Sequence, residues 1–141
     1  IFNNLSYYKI NYMNKILVEV SVGELLDKLT ILEIKQEKIK DPEKLKYIND
    51  EYSVLKDQLN KSVKSDPKLD ELFNSLKKVN EKLWVIEDDK RLCEKSSDFG
   101  DKFVKLSRDV HFLNDDRAKI KLEINNHTGS KIKEIKEYTK Y

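Results

Sequence analysis

From Leu69 to His127 a seam of side chains recurs at alternating steps of three and four, and the pattern breaks only once. Leu69, Leu72, Leu76, Val79, Leu83, Ile86, Lys90 and Cys93 form its first run. Phe103, Leu106, Val110, Leu113, Arg117, Ile120, Ile124 and His127 form its second. A repeat averaging 3.5 residues is a helical heptad seam, which keeps one stripe facing a partner helix along its whole length. If the break folds the two runs antiparallel, residue numbers at one level must add to a constant. Cys93 with Phe103, Ile86 with Val110, Leu83 with Leu113, Leu76 with Ile120 and Leu72 with Ile124 all satisfy that rule. A shorter pair obeys the same test: Ile39 with Leu45, Gln36 with Ile48, Leu32 with Tyr52, Leu29 with Leu55 and Leu25 with Leu59. Two antiparallel helical hairpins follow.

Punctuation places the ends. Ser21 and Glu24 have the spacing of a capping box, with Val20 and Leu25 as a hydrophobic staple. Asp41-Pro42 and Asp66-Pro67 set a carboxylate cap before a proline at the first helical position, where the missing amide costs nothing. Ser97 and Asp98 are cap candidates for the last helix, and Gly129 stands where a C-terminal glycine ends it. The expected helices are 22–40, 42–63, 67–95 and 100–128. At 1.5 Å per residue the first hairpin has arms of about 30 Å and the second of about 43 Å, so the second should project as a coiled-coil end. With 3 Gly and 2 Pro against 38% charged and 38% hydrophobic residues, turn-rich β architectures are excluded, and the fold class is an all-α bundle of four helices.

The domain expected is single, residues 15–141, preceded by a disordered extension over 1–14. "IFNNLSYYKINYMN" lacks the apolar run of a secretory signal, and Met13 is the expected start of translation. No stretch reaches about 20 uninterrupted apolar residues, so no membrane span is expected. The strand-like "KILVEV" should pair with another extended segment, plausibly "KIKEIKEY", or lie as an extension on the bundle. A net charge of +2 with lysines alternating with acids argues against a nucleic-acid partner. One cysteine, Cys93, allows no disulfide within the chain, which points to a reducing compartment, the cytoplasm. Its seam position makes it a packed thiol rather than a nucleophile.

Helix one is apolar on several sides. Leu25, Leu29, Leu32 and Ile39 face helix two, Leu26 lies about 100° round, and Ile31 and Ile34 lie beyond. Leu26, Ile31 and Ile34 are therefore candidate interface residues. Their cover is either a second copy, making a homodimer, or another protein, or the long hairpin of the same chain.

The segments "VEVSVGELLDKLTILEIK", "VNEKLWVIEDDKRLCEKSSDFGDKFVKLSRDV", "LNDDRAKIKLEIN" and "GSKIKEIKEY" resemble an uncharacterised bacterial family catalogued as domain of unknown function 6165. The similarity runs from about Lys15 to Tyr138. It implies a shared fold and carries over no catalytic residue.

The polar residues admit two chemistries. Glu33, Glu37, Glu87, Asp88, Asp115 and Asp116 are the acids a metal-dependent nucleotide (pyro)phosphohydrolase would use to hold Mg²⁺ between facing helices. Their spacing does not repeat from helix to helix as such a site requires, so no metal, cofactor or catalytic residue is expected. Glu123 with His127 is not the Glu-x-x-His of di-iron bundles. A second group, Glu33, Asn80, Trp84, Glu87, Arg91, Asn114, Arg117 and Lys121, lies beside the seams of helices three and four and on helix one. Arg117 stands on a seam between Leu113 and Ile120 and must find acceptors or suffer the cost of burial. The cluster is either a buried network that fixes helix register or a pocket for a small anionic ligand or a partner's carboxylate. The function expected is a non-enzymatic helical interaction or assembly module, with the hydrolase and the anion-binding protein as alternatives.

Overall fold

A computed structural model describes residues 16–141 as four helices, α1 Val22–Lys38, α2 Pro42–Ser62, α3 Pro67–Ser96 and α4 Asp101–Thr128. The expected extension over 1–14 and Met13 lie outside the described residues.

Three of the expected caps form. The hydroxyl of Ser21 accepts from Glu24 N at 3.1 Å, Asp41 Oδ1 from Glu43 N at 2.9 Å, and Asp66 Oδ1 from Leu69 N at 2.8 Å. Gly129 takes the left-handed conformation, φ 65, that closes α4. The break between α3 and α4 differs from expectation. Ser97, at φ 54, ends α3 instead of starting α4, and the N-cap of α4 is Gly100. Asp98 Oδ1 accepts from Gly100 N at 3.2 Å, so the turn rather than the next helix takes its carboxylate.

Both hairpins form. On the first, Gln36 donates to Asn49 Oδ1 at 2.9 Å and Tyr52 to Glu33 Oε1 at 3.1 Å, within one residue of the expected levels. On the second, Asn80 and Arg117, within one residue of a shared level, both reach Asp27 Oδ1, at 2.9 and 2.8 Å.

The hairpins do not lie side by side. Helix α1 packs on all three others, whereas α2 packs on α1 alone. Gly23, Glu24 and Asp27 meet α4, while Thr30, Glu33 and Glu37 meet α3. From Thr30 to Glu37, about 10 Å of helix, the polar contacts of α1 with α3 all fall on Lys77 and Asn80, within a single turn. Helix α1 therefore crosses the base of the long hairpin diagonally, from α4 to α3. The core gathers there: Leu25, Leu26 and Leu29 of α1, Leu69, Leu72 and Leu76 of α3 and Ile124 of α4.

Of the three covers weighed for the apolar faces of α1, the crossing supplies the last, the long hairpin of the same chain, so Leu26 and Ile34 are not an open interface. Leu26 is 2% exposed and Ile34 1%, covered within the single chain, and Ile31 is half-buried. A helix apolar on several sides needs several neighbours, and the other three helices supply them. Toward its tip the hairpin has no such cover. Beyond Leu83 the one buried residue of α3 is Cys93, and α4 has none before Lys121. The projecting end is a two-helix coiled coil with half-buried seams.

The start of α1 is sealed by the end of α4. Val22 N donates to Ser130 Oγ at 3.2 Å and Gly23 N to Asn125 Oδ1 at 2.7 Å, while Ser21 serves Glu24 N through its hydroxyl and Leu25 N through its carbonyl. The amides that a helix start leaves unpaired are thus satisfied, two of them from 100 or more residues away in sequence. The approach is so close that a Cβ on Gly23 would stand 2.6 Å from Lys121 O and 2.9 Å from Asn125 Oδ1. Gly23→Ala should therefore force α1 off α4 and cost about 1–3 kcal/mol, although alanine is the better helix former. Urea denaturation checks this, and a variant as stable as the parent would show that the two backbones are not in contact.

Candidate functional site

The ionic centre of the molecule is Asp27, a residue that reading the spacing alone does not single out. It is 2% exposed. Arg117 grips it with Nε on Oδ1 at 2.8 Å and Nη2 on Oδ2 at 2.5 Å, a bidentate pair. Asn80 Nδ2 adds a bond to Oδ1 at 2.9 Å and a second to Thr30 Oγ1 at 2.8 Å, and Thr30 in turn donates to the Asp27 carbonyl at 2.7 Å. One carboxylate thus ties α1 to both arms of the long hairpin. The hydrogen bond to Asp27 comes first among the influences that raise the pKa of Arg117 above its ordinary value, against the opposing effect of burial.

Lys121, one turn further along α4, forms a second layer. Its ammonium lies 2.5 Å from Glu24 Oε2, 3.0 Å from Glu134 Oε2 and 4.0 Å from Asp27 Oδ2. Burial pushes its pKa down, but the hydrogen bonds to Glu24 and Glu134 outweigh that and hold it above the ordinary lysine value. Glu24 was expected to close a capping box on Ser21; its carboxylate serves Lys121 instead. Glu134 belongs to residues 130–141, an extended strap that runs back along α4. The Lys121 hydrogen bond is the main influence holding the Glu134 carboxyl below its usual range.

Of the eight residues expected to cluster, four assemble. Asn80, Arg117 and Lys121 surround Asp27, and Asn114 Oδ1 stands 3.5 Å from Arg117 Nη1. The other four do not join them. Glu33 turns to Lys77 at 3.0 Å and to Tyr52. Glu87 and Arg91 pair with each other at 3.3 Å, four residues apart on one helix, and Trp84 is half-buried on α3. Both cations at the centre are already matched by carboxylates of the chain.

The six acids weighed for a metal site lie apart. Glu33 and Glu37 share Lys77, Glu87 holds Arg91, Asp115 accepts from Tyr141, Asp116 lies 3.7 Å from Lys119, and Asp88 is exposed. Among the described residues no three His, Cys, Asp or Glu side chains converge as metal ligands. His127, at the end of α4, lies 2.9 Å from Asp66 and pins that end to the start of α3. Cys93 is buried on the seam.

A different surface feature lies on the projecting half of the hairpin. Lys78, Lys82, Val85 and Ile86 of α3 and Asp109, Phe112 and Leu113 of α4 line an open, mainly apolar groove. It occupies the flank away from α1, because α1 is met by Lys77, Asn80, Lys121 and Asn125 on the other. Val85, Phe112 and, one heptad beyond Val85, Leu92 remain exposed there.

Because Asp27 is buried and Arg117 only partly so, the two halves of the pair are unequal. Arg117→Met should strand the carboxylate and cost about 3 kcal/mol or more, whereas the double variant Asp27→Leu/Arg117→Met should recover to within about 1 kcal/mol of the parent. Chemical denaturation of both variants checks this; a fully stable single variant would mean that Lys121 and Asn80 suffice to hold the carboxylate.

Comparison with curated proteins gives no match, and comparison with solved structures gives none. No described helix is long and apolar enough to cross a membrane. The model of one family covers most of the chain, residues 16–141, and the chain belongs to that family, the family of unknown function DUF6165.

Proposed function

We propose that this chain is a non-enzymatic helical assembly module that associates with a second copy of itself through the projecting half of the α3–α4 hairpin. The observation that supports this is the apolar flank of Val85, Leu92 and Phe112, set on a coiled coil whose seams are only half-buried. Two such ends laid together make a four-helix bundle, which buries both flanks. Exposed apolar stripes of this kind characterise surfaces that meet other proteins. The dimer proposed lies away from α1, whose apolar faces are occupied. A metal-dependent phosphohydrolase is less favoured, since its carboxylates would have to leave their present partners to meet. The buried lone thiol fits a reducing compartment, so the cytoplasm is the proposed location.

In a two-fold contact each substitution is felt twice. Phe112→Glu should therefore abolish self-association while leaving helical circular dichroism unchanged, because Phe112 contributes nothing to the core at the base. Sedimentation equilibrium from micromolar to submillimolar protein checks this. A parent chain that stays monomeric across that range, like the variant, would overturn the dimer.

A further inference from the structure

The strap, residues 130–141, is held to the bundle chiefly by side chains. Ser130 belongs to the seal on α1, its amide donating to Asn125 O at 2.9 Å. Beyond Ser130 its ties to α4 come from side chains: Lys133 Nζ to Asn126 Oδ1 at 2.8 Å, Glu134 to Lys121 at 3.0 Å, and Tyr141 to Asp115 with edge-on ring contacts to His111 and Phe112. Its aliphatic side chains pack down only in part, Ile132 being 41% exposed. Ile135 is 79% exposed, and Leu122 on the helix beneath is 39% exposed. A cavity of about 190 Å³ remains between strap and helix, walled by Ala118, Leu122 and Asn125 on α4 and by Glu134 and Ile135 on the strap.

Lys121 gives that cavity its chemistry. An ammonium has three donors. Glu24 takes one, and the donor facing the strap is satisfied by Glu134 alone of the strap's residues. With the strap lifted, a nearly buried cation would face the channel with a donor to spare, beside an apolar wall that the strap covers only in part.

We propose that the channel along α4 is an acceptor site for an extended acidic segment of another protein, which the chain's own strap fills in the isolated molecule, Glu134 standing in for the partner's carboxylate. The fitting segment carries a glutamate or aspartate to meet Lys121, with an apolar side chain beside it to cover Ala118 and Leu122. The strap provides the carboxylate but covers the apolar wall only in part, Ile135 staying 79% exposed at its edge, so a segment with a better-seated apolar side chain keeps the contact at Lys121 and adds burial. The strap's advantage is that it is tethered, which raises its effective concentration. The channel at Lys121 lies apart from the hairpin flank, which the strap touches only through Tyr141 on Phe112, and the peptide test does not depend on dimerisation.

The probe is a fluorescent peptide with the sequence of residues 130–141, titrated against full-length chain and followed by anisotropy. In the parent the closed strap lowers apparent affinity by the fraction of molecules that are open. Glu134→Gln in the full chain weakens the strap, so it should bind the peptide about tenfold or more tightly than the parent does. The same peptide with glutamine at the position of Glu134 should lose that binding, an arm that needs no further change in the protein. Lys121→Gln should abolish binding as well, with circular dichroism confirming the fold. No peptide binding to the Glu134→Gln chain, or binding indifferent to the carboxylate of the peptide, would overturn the site.

Discussion

A carboxylate placed where water cannot reach it must be paired, and in this chain that requirement organises the packing. Asp27 lies on α1 beneath both arms of the long hairpin, and its oxygens are taken by Arg117 of α4 and Asn80 of α3. Apolar packing alone is permissive, since leucines slide past leucines at small cost. The bidentate guanidinium is not, because any shift along the helix breaks both of its bonds to the buried carboxylate. Asp27 therefore fixes where α1 crosses the hairpin, and the seal of Gly23 on Lys121 and Asn125 fixes how closely. Together they make α1 the spine of the molecule, with α2 laid on it from outside.

What the sequence discloses of this arrangement follows the range of the forces involved. Heptad seams and Asp-Pro caps are local, and each hairpin could be aligned from the residue numbers of its own seam. The crossing of one hairpin over the other is not local. It rests on Asp27 and Gly23, two residues that look ordinary in sequence: Asp27 reads as part of a polar face beside Lys28, and Gly23 as a weak residue in a helix start. One signal pointed toward the centre, the arginine on the apolar seam, which had to have an acceptor. Among the residues expected to cluster with it, Glu33 has the right charge for an acceptor but lies six residues beyond Asp27 on α1, where Lys77 takes it. The apolar faces of α1 could be seen, but whether the same chain or another covered them depended on the crossing.

The two surfaces with proposed roles are consequences of the same geometry. Because α1 covers only the base of the hairpin, the tip is left as a bare coiled coil, and its outer flank keeps an apolar stripe. Because the end of α4 is spent on sealing α1, the chain after Ser130 leaves the bundle at that point and returns along α4 as a strap. Lys121 sits between the two, held by Glu24 of the spine and Glu134 of the strap. The polar groups at this centre join segments, Asp27 tying α1 to the hairpin and Lys121 tying the spine to the strap.

The central claim, that α1 is a spine locked into the long hairpin and not one arm of an independent helical pair, is tested most directly by native-state hydrogen exchange. The amides from Leu29 to Ile34, on the buried part of α1, should exchange only through the opening that also releases the base of α3 and α4, while those of α2, which packs on α1 alone, open at lower free energy. If instead α1 and α2 exchange together, well before α3 and α4, the two hairpins are separate units, and the pairing at Asp27 does not hold the fold.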